Sequence, residues 1–173
     1  TGGAYPTTWR DFRFFGPTQA RFDQHDPPPS LQSKGVLYGA DDPTTCLAEV
    51  FQATRTIDRG ANAPWLVGFA LMEPVKLLTL MGQWPTRAGA SMTINSGPRP
   101  RAREWSRAIY AAYPDVQGLL YASSMNANKP AIALYERAQG AVPALPVFHR
   151  ALADAALIVR LNTAATRLGY RMV

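Results

Sequence analysis

The residues of this chain that can do chemistry are carboxylates, arginines and hydroxyls gathered in a few short stretches. Glu49 lies in Gly35 to Thr54, GVLYGADDPTTCLAEVFQAT, where a short β-type run (Val36, Leu37, Tyr38) gives way to apolar residues at helical spacing (Leu47, Val50, Phe51, Thr54). Asp42 is placed to cap that helix and Pro43 to occupy its first position, where a missing N–H costs nothing. On a wheel of about 100° per residue, Glu49 falls off the apolar stripe, beside Thr45, Gln52 and Ala53. Pattern alone makes it a solvated helix glutamate; the chemical alternative is a carboxylate facing a cleft next to Tyr38.

Other chemistries have few residues to work with. Cys46 is the single cysteine, so an internal disulfide is excluded and a cysteine-based zinc site is untenable; with His25 and His149 the only histidines, no metal is expected. Cys46 precedes Leu47 and reads as a small buried hydrophobe. No glycine-rich phosphate loop is present, which removes support for a Rossmann or Walker nucleotide site. Arg99, Arg101, Arg103 and Arg107 crowd the first half of a second helix, where acidic residues are usual; an anion docked there would relieve them, and a solvated basic face is the plainer reading. Ser106, in the same helix, is able to bond back to a carbonyl one turn earlier.

The elements that must position these groups follow from periodicity. Thr8 to Phe15 suits a strand with one buried face, ended by Gly16-Pro17. Ala20 to Ser30, with three consecutive prolines, reads as a loop, mobile in its second half, and Arg21 as a surface residue paired with Asp23 or Asp26. Trp65 to Met72 is a nearly continuous apolar run, expected as a central strand; Val75 to Leu80 follows as another. Gly82 to Gly97 lacks periodicity. Pro100 to Tyr113 predicts a helix buried along Trp105, Ile109, Ala112 and Tyr113, then strands at Leu119 to Ser124 and Ile132 to Tyr135. A last helix runs from an Asp154 cap to Thr166, with a short strand in Gly169 to Val173. Strands scattered among helices without regular alternation indicate α+β.

At 173 residues, with 47% apolar residues, the chain is expected to form one domain spanning residues 1–173, with its first eight residues flexible. No apolar run reaches the roughly 20 residues that span a bilayer. A start at Thr1 without a leader is expected of a piece excised from a longer protein. The net charge of +6 and a pI near 9.8 point to an anionic partner: nucleic acid, an acidic protein or a phosphate-bearing small molecule.

In order, these pieces form a pattern. A leading aromatic-arginine strand, then Arg21-Phe22-Asp23, VLYGA, CLAEVF, REWS on a helix and GLLYASS resemble the RES domain family, over almost the whole chain. The resemblance implies a fold similar to ADP-ribosyltransferases, with mixed or antiparallel sheets and flanking helices. It also implies a toxin of a bacterial toxin–antitoxin pair that acts in the cytoplasm and takes NAD⁺ as substrate. Carried over by position, Arg21 is the family arginine and Tyr38 the strand tyrosine. Glu49 is the helix glutamate, and Ser106 the serine, with Ser123 a second candidate. The first-strand arginine is Arg10 or Arg13. Glu49 would stabilise an oxocarbenium-like ribose, the arginines would grip the pyrophosphate, and Tyr38 would stack on nicotinamide. Ser106 or Ser123 would bond a ribose hydroxyl or phosphate oxygen.

The expected activity is therefore cleavage of the nicotinamide–ribose bond, as a glycohydrolase or phosphorylase. ADP-ribosylation of a protein is the alternative. A basic nucleic-acid-binding or interaction domain without catalysis is a further one. An antitoxin or immunity protein covering the site is the expected partner, and a homo-oligomer is allowed.

Overall fold

The computed structural model describes residues 8–173, so the expectation of a flexible start lies almost wholly outside the described residues. Five strands form the main sheet in the spatial order β1 (Arg13–Gly16), β2 (Ser30–Ala40), β7 (Pro130–Tyr135), β6 (Gly118–Ala122) and β5 (Leu77–Thr79). Neighbours are antiparallel except β5 and β6, which run parallel. Two small sheets flank it: β3 (Thr56–Ile57) pairs in parallel with β9 (Arg171–Met172), and β4 (Trp65–Gly68) pairs antiparallel with β8 (Phe148–Ala151). With helices α1 (Pro43–Val50), α2 (Trp84–Arg87), α3 (Arg99–Ala112) and α4 (Ile158–Leu168), the fold is α+β, as expected.

Period-two alternation divides the sheet cleanly. Val36, Ala40, Ala131, Ala133, Tyr135, Leu119 and Tyr121 share one face and its core, while Leu37, Ile132, Leu134 and Leu77 meet Phe12, Phe14 and Phe69 on the other. The register sets Tyr38 opposite Ala133 and Tyr121 opposite Ala131. Two alanines on the central strand keep this face low, and Phe22 joins its core, fully buried with its ring tilted against Tyr121 at 4.7 Å between centroids. The segment before β2 is a loop, as expected, but its first part is core: Phe22, Asp23, Gln24 and His25 have no accessible surface, and Asp26 to Ser30 is exposed.

Helix α3 packs over Phe22. Its buried line is Ala102, Ser106 and Ile109; of the expected stripe only Ile109 is buried, and Tyr113 keeps 40% of its surface. Small residues let the helix approach closely; Trp105 sits at the flank, edge-on to Trp84.

The run Trp65 to Met72 is not a central strand. Its first four residues form β4 in the side sheet, where Leu66 faces the second core and Trp65 stacks on His149 at 4.5 Å on the outer side. Phe69 and Leu71 then pack beneath the main sheet. The run is continuously apolar because it feeds two cores in succession.

The second core joins Leu47 and Phe51 of α1 to Ile57, Leu152, Leu157, Leu161 and Tyr170. Asp154 caps a 3₁₀ turn at Ala155–Leu157, from which α4 continues. Gly169 ends α4 at φ 66, a left-handed position that costs glycine little. No helix among the described residues is long and apolar enough to cross a membrane.

Candidate active site

Helix α1 begins as the sequence dictates: the Asp42 carboxylate accepts from Thr44 N at 2.9 Å, and Pro43 takes the first position. It ends sooner than the apolar spacing suggests. Phe51 N closes on Leu47 O at 3.0 Å, so Val50 is 70% exposed and Thr54 lies beyond the helix. The helix is instead gripped on two sides. Leu47 faces the second core, while Thr45, wholly buried, turns to the loop after β6 and accepts from Asn126 Nδ2 at 2.9 Å.

One turn after Thr45, Glu49 faces the same loop. Its Oε1 accepts from Ser123 Oγ at 2.6 Å, and Ser123 has no exposed surface. Met125 N donates to the same Ser123 oxygen at 3.3 Å, which leaves the hydroxyl proton for the carboxylate. Gln52 Nε2 lies 3.4 Å from the other oxygen, Oε2, and donates to the Glu49 carbonyl at 2.7 Å. A carboxylate in the last turn of a helix sits at the unfavourable end of its dipole; these donors offset that cost.

Arg21 reaches the start of α3, where Nη1 donates to Gly97 O. Gly97 is required there: a Cβ would come within 2.8 Å of Thr93 O. The loop carrying Gly97 is pinned by Asn95, whose Nδ2 donates to Leu80 O at 2.9 Å. Burial and then the charge of Arg99 pull the Arg21 pKa down, while Glu49 and Tyr121 push it up. Two guanidiniums and one carboxylate therefore share a half-buried region with a net positive charge. Tyr121 adjoins it, its phenol pushed up by burial first and then by Glu49. Cys46 is nearby, and burial raises its thiol too, which argues against a thiolate nucleophile.

Tyr38 projects from β2 on the same face. It keeps 36% of its surface accessible, and burial first and the charge of Asp23 second hold its pKa well above the usual value.

Of the two first-strand arginines, Arg13 is the one the fold turns toward Tyr38. Its Nη2 donates to Asp23 Oδ2 at 3.0 Å. Asp23 also accepts from Thr18 N at 2.7 Å, from Thr18 Oγ1 at 2.8 Å and from His25. Burial would raise the Asp23 carboxyl, but these donors and Arg13 together hold it well below the usual range. Arg10 stays exposed on a turn closed by Thr8 against Asp11, so the strand starts only at Arg13. The expected pairing of Arg21 with Asp23 or Asp26 is not found: Asp23 holds Arg13, and Asp26 meets Lys34 at 2.5 Å.

The two serines part company. Ser106 has no accessible surface and donates to Phe22 O at 3.1 Å, a bond inside the core. It holds the residue next to Arg21. Ser123 is the serine that meets Glu49. The sequence offers Arg99 only as one of a basic cluster and does not point to Asp23, Gln52 or Tyr121 as site residues, apart from the place of Gln52 on the Glu49 side of the wheel. Among the described residues no group of three or more His, Cys, Asp or Glu could hold a metal ion.

The ordered motifs now have a spatial counterpart, and a family model described as RES domain matches residues 2–155. The chain belongs to the RES domain family. At the family level this places it among NAD-related toxin–antitoxin domains. No curated protein and no solved structure shows significant similarity to it. The match covers Arg13, Arg21, Tyr38, Glu49, Ser106 and Ser123. Beyond it lie α4 and β9, which back the glutamate helix of this RES domain: Tyr170 donates to Ala48 O at 3.3 Å.

Proposed function

We propose that this RES domain consumes NAD⁺ by breaking the bond between nicotinamide and ribose. In that step the C1′–N bond breaks and its electron pair stays with the nicotinamide nitrogen, which becomes neutral. The ribose carries an oxocarbenium-like charge until a nucleophile adds at C1′. Glu49 supplies the carboxylate that stabilises this charge. Arg21 and Arg99 supply planar cations for the pyrophosphate. Arg13, already partnered by Asp23, contributes less to that grip and more to the shape of the Tyr38 wall. Tyr38 offers its accessible ring to nicotinamide.

The observation that carries this reading is the 2.6 Å bond from buried Ser123 to Glu49. A solvated helix glutamate has no need of a buried donor; a carboxylate that must meet a developing cation in one orientation does. Water adding at C1′ gives ADP-ribose and releases a proton, and phosphate adding there gives the corresponding ADP-ribose phosphate. A soluble partner that plugs the cleft would silence either reaction, and the net charge of +6 favours an acidic one.

The test is incubation of the purified chain with NAD⁺ in water, in phosphate and with cell lysate, with the products identified. Free nicotinamide with ADP-ribose or its phosphate supports the proposal, and labelled protein in the lysate redirects it to ADP-ribosyl transfer. Intact NAD⁺ in all three overturns it. Glu49→Gln and Arg21→Ala are expected to abolish turnover and toxicity while leaving the thermal melt nearly unchanged.

A further inference from the structure

Beyond Glu49 a second interaction continues away from Ser123. Gln52 Oε1 accepts from Arg99 Nη2 at 2.6 Å, while Gln52 Nε2 donates to Glu49 O at 2.7 Å and lies 3.4 Å from Glu49 Oε2. The chemistry of the neighbours fixes the amide. A guanidinium only donates and a carboxylate only accepts, so the amide oxygen faces Arg99 and its nitrogen faces Glu49. Gln52 thus satisfies one of the orphan carbonyls at the end of α1 and braces the carboxylate of the same residue. Arg99 is the first residue of α3, 47 positions further along the chain, and its charge is felt by Arg21.

We infer that Gln52 and Arg99 are positioning residues for Glu49. Arg99 orients the Gln52 amide, and Gln52 holds the second carboxylate oxygen while Ser123 holds the first. Under the activity proposed above, on which this inference rests, the relay also joins the two halves of the reaction. Arg99 has one described side-chain bond, to Gln52, and the rest of its planar fork is available to an anion. A pyrophosphate seated against Arg21 and Arg99 fixes the guanidinium, hence the amide, hence the carboxylate. Binding energy from the non-reacting part of the substrate is thereby used at C1′.

The test combines kinetics with a measurement that needs no turnover. Gln52→Ala is expected to lower kcat about tenfold while KM for NAD⁺ stays within about twofold, because it disturbs the geometry of Glu49 and not the anion grip. Arg99→Ala lowers kcat similarly and also raises KM, and Arg99→Lys recovers part of the loss. The double variant falls no more than about threefold below the worse single one, since both changes break the same relay. In ¹⁵N–¹H spectra of the full chain, the Gln52 side-chain amide signal moves in both Arg99→Ala and Glu49→Gln. Wild-type kcat in Gln52→Ala, or effects that multiply in the double variant, overturn the inference. If the wild-type chain leaves NAD⁺ intact, the proposed activity falls instead, and the amide signal alone decides: displaced in both variants it supports the relay, unmoved it overturns it.

Discussion

Ser123 and Glu49, 74 residues apart, meet through a 2.6 Å hydrogen bond in which a buried hydroxyl orients a helix carboxylate. The loop between β6 and β7 makes this possible. Ser123 accepts through its carbonyl from Asn128 N at 3.0 Å and donates its own N–H to Lys129 O at 2.9 Å, which closes the loop on itself. Asn126 then ties the loop to Thr45, one helical turn before Glu49. Ala127 and Asn128 adopt φ of 48 and 59, left-handed values that a side chain tolerates only when its surroundings impose them. Arg55, Asn62 and Ala63 share such values elsewhere in the chain; here they fall in the segment that presents the serine.

The two serines are therefore expected to fail differently. Ser123→Ala removes the donor to a carboxylate, a bond worth about 1.5–3 kcal/mol, and lets Glu49 drift; kcat for NAD⁺ consumption should fall by about tenfold or more. Ser106→Ala breaks a neutral bond to Phe22 O, worth about 1 kcal/mol, and should lower the melting temperature while activity per folded molecule changes far less. Parallel melts and initial rates separate the two; equal activity losses would refute the distinction.

Asp23 makes a prediction about acid. Its carboxyl lies below its ordinary pKa because the donors from His25 and Thr18 and the charge of Arg13 outweigh burial. A depressed carboxyl contributes stability that is complete above its unfolded pKa of about 3.9 and is lost as pH falls toward the folded value. Melting temperature should thus hold from neutral pH to about 5 and decline below about 4. Asp23→Asn should cost about 1.5–3 kcal/mol at pH 7 and flatten that decline. An unchanged acid slope in Asp23→Asn would assign the decline to other carboxylates.

What the sequence made legible is local. The Asp42 cap, Pro43, the alternation of β2 and the Asp154 turn each depend on a few adjacent residues, and all were readable. The wheel put Glu49 off the apolar stripe, but polar neighbours cannot tell water from a buried polar loop; Thr45 and Ser123 decide that, and they meet Glu49 only after folding. Val50 was misassigned because the spacing did not show that the helix stops there. Phe22 lies in a loop, as the pattern says, but its burial is invisible in the pattern because its core partners, Tyr121, Ala131 and Ala133, come about a hundred positions later. Trp65 to Met72 misled because a run serving two cores looks like a strand buried on both faces.

The C-terminal elements should matter to the site by supporting α1. Leu161 of α4 is buried in the core that receives Leu47 and Phe51. Leu161→Ala is expected to cost about 2–5 kcal/mol. Tyr170→Phe removes the bond to Ala48 O and should cost about 1 kcal/mol, with a modest drop in kcat because Ala48 directly precedes Glu49. Denaturant unfolding followed by fluorescence measures both. A Leu161→Ala chain as stable as wild type would mean that α4 is only loosely attached.

Tyr38 poses the last choice, between its ring and its hydroxyl. The phenol is held well above its ordinary pKa by burial and by Asp23, so it stays neutral past pH 10 and adds no alkaline limb to the rate profile below that. A phenol that holds its proton is poorly suited as a base, whereas Tyr38 keeps 36% of its surface accessible for stacking. Tyr38→Phe should therefore retain kcat and KM for NAD⁺ within about threefold, because the stacking surface survives. Tyr38→Ala should raise KM about tenfold, the loss expected when an aromatic contact of about 1.5 kcal/mol is removed. If Tyr38→Phe is as impaired as Tyr38→Ala, the hydroxyl is the working group and the stacking role is wrong.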